Sequence, residues 1–324
     1  TGVQTCALPI WSKLLSAGAR SAVKILLASS SLVAEPSLKA LQNSHHEVLG
    51  CLTGLDAARG RGQEVSENDF ANLAKTLGLP VFKPANSLEL HQLLRDLNPD
   101  VVVTISYGSL IKKAELEIPR FGWLNVHFSL LPRWRGASPV QRAIAAGDSL
   151  SGVTVFKLDT GLDTGPIFTS VERSLIGDET SSSLLSDLAA LAPGALLDAL
   201  SLIEVGQLPI PQSEEGVCIA PKIRKEDGRI NWTSSNIEIE RSIRAFDPWP
   251  TAWSILSGQR VSIYSAKLST LEIDPGVCRI NSGFFVGCGT GSLELIEVKP
   301  EGKRRMTALE WARGLRQPTD MKFE

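Results

Sequence analysis

Two short stretches carry residue types suited to chemistry. They are Asn125-Val126-His127-Phe128-Ser129-Leu130-Leu131-Pro132-Arg133-Trp134-Arg135-Gly136 and, further on, Gly161-Leu162-Asp163-Thr164-Gly165. If residues 123–127 form a strand, Asn125, His127 and Ser129 point to one face and Val126 and Phe128 to the other, because side chains alternate along a strand. An amide and an imidazole then look into the same space. The amide can donate to an oxygen that becomes negative, and the imidazole can carry a proton near neutral pH. The carboxylate of Asp163 can orient that imidazole or take the proton in turn. No obvious nucleophile accompanies them, since Ser129 has no second histidine nearby in sequence. The set suits a reaction whose nucleophile arrives with the substrate and whose carbon passes through a tetrahedral intermediate, as in acyl transfer to an amine. Taken singly, a histidine at a strand end or an aspartate in a turn is more often structural; the combination points to catalysis.

The elements that must hold these residues alternate between strand and helix. Short apolar runs at 23–28, 47–53, 80–82 and 100–108 read as strands, and helical spacing covers 33–41, 70–77 and 88–97. Residues 54–63, rich in glycine and polar, read as a loop. Pro132 stops the strand at 123–127. Ser138 and Pro139 then open a helix over 139–146, with Ser138 as its capping hydroxyl and Gly147 as its stop. Strands follow at 152–158 and 167–172, then a long apolar helix from about 180 to 202, which Pro193 is expected to kink or divide. This is the pattern of a doubly wound, mostly parallel α/β sheet, in which ligands sit at the carboxyl ends of strands. Residues 206–216 read as a linker. Beyond it, a helix over 236–245, short strands at 252–256, 261–268, 276–280, 283–287 and 292–298, and a helix over 307–315 suggest a small β-barrel of OB-like size. The expected division is a leader over 1–22, foreign or disordered, a catalytic domain over 23–205, the linker, and a second domain over 217–324.

Composition narrows the class. The chain has 324 residues, 43% hydrophobic and 21% charged, with a formal charge of −2, ordinary for a soluble globular protein. That charge argues against strong non-specific nucleic-acid binding, so any RNA contact must come from local patches. No apolar run reaches the roughly 18 residues a membrane span needs. The five cysteines (Cys6, Cys51, Cys218, Cys278, Cys288) are odd in number and lack a C-x-x-C pair. Neither a disulfide framework nor a zinc site is indicated, no metal is expected, and a cytoplasmic location fits best.

The run from Asn125 to Ala143, Asn125-Val126-His127-Phe128-Ser129-Leu130-Leu131-Pro132-Arg133-Trp134-Arg135-Gly136-Ala137-Ser138-Pro139-Val140-Gln141-Arg142-Ala143, together with Asp159-Thr160-Gly161-Leu162-Asp163-Thr164-Gly165-Pro166, resembles the signature of the 10-formyltetrahydrofolate-dependent formyltransferases. The likeness covers essentially residues 23–316. It implies a Rossmann-like catalytic domain and a C-terminal OB-like domain that grips tRNA. It implies catalytic roles for Asn125, His127 and Asp163, and a folate site lined by Ser129, Leu130, Leu131 and Pro132. Arg244-Ala245-Phe246-Asp247-Pro248-Trp249-Pro250 resembles the branch whose acceptor is initiator methionyl-tRNA; a monomer is expected. The sister branches act on an amino sugar nucleotide, a purine-precursor ribonucleotide or water. In this reading Asn125 and a donating His127 stabilise the oxyanion while Asp163 holds His127. By the same resemblance Arg61 sits in a loop that approaches the tRNA acceptor end. The sequence departs from the family just after it, at Gln63-Glu64-Val65, where basic residues are usual. It departs again at Ala28-Ser29-Ser30-Ser31, where a glycine-threonine-proline turn is usual; the serines can still cap the following helix.

The remaining signals are weaker. Two Asp-Thr-Gly copies, at Asp159 and Asp163, lie too close in one loop to form the facing carboxylates of an aspartic protease, so Asp159 reads as a loop residue. Arg59-Gly60-Arg61-Gly62 lacks the Gly-Lys-Ser/Thr ending of a P-loop. Lys222, Arg224 and Lys225, and Lys303, Arg304 and Arg305, are the candidate contacts to the tRNA backbone. Trp249 reads as a packing residue at the domain junction, and Trp134 as a neighbour of the substrate. A non-catalytic RNA-binding protein would leave the intact Asn, His and Asp without a purpose.

Overall fold

A computed structural model describes residues 22–59, 64–315 and 321–324; all but the last residue of the expected leader, and Arg61 with its Gly-Arg-Gly segment, lie outside the described residues. In chain order the first part forms β1 (Lys24–Ala28), α1 (Glu35–Gln42), β2 (Glu47–Leu52), β3 (Ala57–Arg59), β4 (Glu64–Ser66), α2 (Asp69–Thr76), β5 (Val81–Phe82), α3 (Ser87–Leu97), β6 (Val101–Thr104), α4 (Lys113–Leu116), β7 (Trp123–His127), α5 (Pro139–Ala146), β8 (Leu150–Lys157), β9 (Ile167–Ser174) and α6 (Ser181–Glu204). Seven strands make one sheet in the order β5-β2-β1-β6-β7-β8-β9. Pairing is parallel from β5 to β7 and antiparallel through β8 and β9. The continuous apolar runs of β1 and β6 are buried on both faces, as central parallel strands require. Leu27, Val103, Leu124 and Val126 face α6 and α1, whereas Leu26, Val102 and Trp123 meet Leu90 and Leu94 of α3 on the other side. The result is a Rossmann-like sheet with helices on both faces.

Helix α6 departs from expectation twice. By length and composition it is apolar enough to cross a membrane, with a mean hydropathy of 1.4, which the sequence reading excluded for any stretch. Its apolar side chains face the protein instead: Leu184, Leu188, Leu196, Leu200 and Ile203 share one core cluster with Val153 and Val155 of β8. The helix also runs unbroken through Pro193. An interior proline costs about 3 kcal/mol, and burying five large aliphatic side chains at roughly 1.5–3 kcal/mol each outweighs it.

Three local expectations change. The loop read over residues 54–63 contains β3, which pairs with β4 as an antiparallel hairpin. The strand read over 100–108 ends at Thr104, because Ser106 turns the backbone to a φ of 51°. Ser138 makes no cap hydrogen bond to α5; its hydroxyl accepts from Ile223 N at 3.2 Å and so ties a later segment to the catalytic loop. Ser31 does cap the turn after β1, accepting from Val33 N.

The second part forms α7 (Asn236–Ala245), β10 (Ala252–Leu256), β11 (Gln259–Ser269), β12 (Cys278–Ile280), β13 (Phe284–Gly287), β14 (Ser292–Pro300), β15 (Met306–Thr307) and α8 (Ala308–Ala312). Its antiparallel sheet runs β10-β11-β14-β13-β12, with β15 on β14. Phe323 bridges Leu256 and Lys322 bridges Val277, so the tail spans the first and last strands and closes an OB-like barrel. Phe284 stacks on Trp311 at 5.5 Å and Trp232 lies 5.2 Å from Phe323 in its core. Ala245, Phe246 and Ile223 pack into the first core, and Ser181 donates to the Ala245 carbonyl. Phe246 thus fills the place expected of Trp249, which is 50% exposed.

Candidate active site

Strand β7 places Asn125 opposite Phe156 and His127 opposite Thr154, while Val126 and Phe128 point into the core. Asn125 and His127 therefore share a face. His127 is 6% exposed, and its ring meets Phe156 edge-on at 6.3 Å. Its Nε2 lies 2.9 Å from the Trp134 carbonyl. A carbonyl only accepts, so Nε2 carries the proton and, in the neutral ring, Nδ1 is bare. That bare nitrogen is 3.8 Å from Oδ2 of Asp163. Burial pushes the His127 pKa below its ordinary 6.5, outweighing Asp163 and the Trp134 carbonyl, which both raise it. The ring is neutral near pH 7.

The aspartate is held from two sides. Its Oδ2 accepts from Gly136 N at 2.7 Å, and its own backbone sits at a φ of 52°. Gly136 must be glycine: its φ is 120°, and a Cβ there would stand 2.6 Å from the Ala220 carbonyl oxygen. Gln212 donates its amide to the carbonyls of Asp163 at 2.8 Å and Gly165 at 2.7 Å, and accepts from the Arg135 guanidinium at 3.0 and 2.8 Å. The stretch read as a linker is therefore stitched across the site, with Ile210 bridged to Ile167 and, just beyond it, Ile219 to Arg135. Gln212 carries no local signal in the sequence, since its partners lie 47 to 77 positions away. Asp159 accepts from Gly161 N and the Thr164 hydroxyl, shaping the turn as read.

Between these anchors the 128–136 loop is braced by its own polar groups. Ser129 donates to the Arg133 carbonyl at 2.7 Å, and Thr154 donates to the Ser129 carbonyl while accepting from Leu131 N. Asp148 takes the Arg133 guanidinium at 2.8 and 2.6 Å and the Trp134 indole N–H at 2.7 Å. Of the four residues expected along a folate site, Ser129 and Leu131 are buried and Leu130 and Pro132 partly exposed. Ser129 and Leu130 line a cleft of about 390 Å³ with Arg133, Trp134 and Asp148.

The basic residues lie on the second part of the chain. Lys222, Arg224 and Lys225 are exposed, and the Lys225 carbonyl accepts from the Trp253 indole at 3.0 Å. Arg260 lies 4.2 Å over the Trp253 ring and accepts Glu301 N at its carbonyl, which ties that corner to the loop holding Lys303, Arg304 and Arg305. Arg305 pairs with Glu297 and stacks at 4.2 Å on Tyr264, so its charge is already partnered.

A doubly wound sheet with a buried neutral imidazole beside a carboxylate, and an amide two residues earlier on the same strand face, is an arrangement suited to group transfer. Residues 21–200 match the family model described as formyl transferase, and residues 222–316 the formyl transferase C-terminal domain. The chain belongs to the formyl transferase family. It is 41% identical over 299 residues to the methionyl-tRNA formyltransferase of Mycobacteroides abscessus, covering 91% of this chain and 97% of that one. To the enzyme of the same name from Magnetococcus marinus it is 40% identical over 283 residues, covering 86% and 91%. The crystal structure of WlaRD, a sugar 3N-formyl transferase in the presence of dTDP and 5-N-formyl-THF, matches it with a TM-score of 0.65 over 88% of this chain and all of that one. At 18% identity, that is a likeness of fold.

Proposed function

We propose that this protein transfers the formyl group of 10-formyltetrahydrofolate to the amino group of initiator methionyl-tRNA, acting as a cytoplasmic monomer. The observation that carries the reading is identity near 40%, through both parts of the chain, to relatives bearing that activity in their name. The methionyl nitrogen attacks the formyl carbon, the carbonyl electrons move onto oxygen, and the Asn125 amide donates to that oxyanion. His127 takes the opposite part from the donor's role read in the sequence. Its one proton is engaged by the Trp134 carbonyl, so bare Nδ1 accepts the proton released from the attacking nitrogen. Asp163 faces the resulting imidazolium at 3.8 Å, a pairing of about 4 kcal/mol at an effective dielectric near 20. The proton then passes to the folate nitrogen as its bond to the formyl carbon breaks. An α-amino group titrates near 7.7–8.0, so roughly a tenth or more is neutral at pH 7, and positioning and oxyanion stabilisation supply most of the rate.

Ser129, Leu130, Leu131 and Pro132 shape the folate side. Lys222, Arg224, Lys225, Lys303 and Arg304, with Arg61 by resemblance, contact the tRNA backbone. The test is formyl transfer to charged initiator tRNA beside an amino sugar nucleotide and hydrolysis alone. Transfer to the tRNA should dominate. Asn125→Ala, His127→Ala and Asp163→Ala should each lower turnover by about a hundredfold or more. Near-normal turnover in one of them removes that residue from the mechanism.

A further inference from the structure

We propose that His45, His46 and Glu204 form a binding site for a divalent transition-metal ion of the zinc class, which pins the end of α6 to the turn between α1 and β2. The three lie at the sheet edge where β1 and β2 begin, opposite the edge where β7 ends and Asn125 and His127 sit. The Ser44 hydroxyl accepts from His46 N and donates to the Leu41 carbonyl at 2.6 Å, folding the turn so that the adjacent histidines both reach Glu204. Their rings are 4.1 Å apart.

One buried polar atom in this cluster lacks a partner. The Glu204 side chain is 3% exposed, and its Oε2 has no hydrogen-bond partner among the described residues. Its Oε1 lies 2.6 Å from His45 Nε2 and 3.7 Å from His46 Nδ1. The His46 side chain is 1% exposed, and Val23 N approaches the same Nδ1 at 3.4 Å. An N–H only donates, so Nδ1 of His46 holds a lone pair. That lone pair accepts the Val23 N–H, a bond a metal on Nδ1 would replace; His45 Nε2 donates to Oε1 of Glu204, and Oε2 is the atom left unmet.

One ligand atom from each residue lies within 4.8 Å of the others. Atoms bound to one tetrahedral zinc ion at 2.0–2.2 Å lie about 3.3–3.6 Å apart, so His45, the exposed member, must move by about an ångström to close the set. The partial negative charge at the end of α6 favours the cation. Two imidazoles and a carboxylate suit zinc, whose fourth position a water would take. Cysteine spacing could not reveal such a site.

The experiment is calorimetric titration of the chelator-treated full chain with zinc alone, beside thermal denaturation with and without zinc. One equivalent should bind and raise Tm. Glu204→Gln and His45→Ala should each weaken binding at least about tenfold and remove the rise in Tm, while Cys218→Ser changes neither. X-ray absorption of the bound zinc should show nitrogen and oxygen ligands without sulfur. If Glu204→Gln fails to fold, His45→Ala, at a half-exposed side chain, decides the matter. A wild-type chain that binds no zinc, binding unaltered by either substitution, or sulfur ligation would overturn the site.

Discussion

Replacing Gln212 tests whether the segment between the two parts of the chain helps to hold Asp163. Gln212→Ala removes four hydrogen bonds, two to carbonyls of the Asp163 loop and two from Arg135. At about 0.5–1.5 kcal/mol net each, with water replacing part of the loss at a half-buried site, stability should fall by roughly 2–3 kcal/mol. The carboxylate keeps its bond from Gly136 N, so it shifts rather than escapes. Displacement of a reacting group by about 1 Å costs on the order of a hundredfold. We expect kcat for formyl transfer to drop about 10- to 100-fold with KM for either substrate little changed, the mark of an interaction realised in the transition state. Gln212→Glu separates the two halves of the contact. It keeps a partner for Arg135 but sets carboxylate oxygen against the carbonyls of Asp163 and Gly165, so it should be at least as damaging as alanine. Steady-state kinetics at a temperature where each variant is folded, checked by calorimetry, is the assay. A glutamate variant with normal kcat would refute the reasoning, as would an alanine variant whose only loss is in Tm.

Because burial holds His127 below its ordinary pKa, the acid limb of kcat/KM should follow the substrate amine near 7.7–8.0; a limb near 6.5 in a pH–rate profile would contradict the neutral ring. The same shift has a stability sign: the unfolded chain protonates this histidine below about pH 6.5 while the folded chain resists. Urea midpoints should therefore be flat above that pH and fall beneath it, less steeply in His127→Gln. Gly165→Ala would set a Cβ 1.7 Å from the Lys157 carbonyl oxygen and should cost about 3 kcal/mol. Gly194→Ala, inside α6 with nothing within 4 Å, should gain about 0.5–1 kcal/mol; urea denaturation reads both. Lys303→Ala with Arg304→Ala should weaken tRNA binding and lower its log–log salt slope by about two, and Arg305→Ala, already paired to Glu297, should do less.

Much of the fold is legible in local pattern, because β1, β6 and α3 obey their own periodicity and helix α3 carries its cap at Asn86. The alternation along β7 likewise sets Asn125 and His127 on one face before any tertiary contact is known. What is not legible depends on partners far off in the chain. The direction of the His127 proton is set by a carbonyl that reaches it because Trp134 adopts a φ of 64°. Gln212 sits 49 positions from Asp163, in a stretch whose composition says only that it is irregular. Pro193 reads as a breaker because propensity is local, whereas the burial that carries α6 past it is not. Trp249 illustrates the converse: size suggests packing, yet Phe246 takes the available space.

The closing strand of the barrel is also its last to be made. Until Phe323 has left the ribosome, Leu256 of β10 and the edge of β12 lack their partners in the tail, although Ile230 N already donates to the Trp253 carbonyl of β10, while the seven-stranded mixed sheet, complete by β9, can already have settled. The nascent second module therefore spends its synthesis with one bare strand edge and another only partly covered, the state in which sheets most readily pair with the wrong chain.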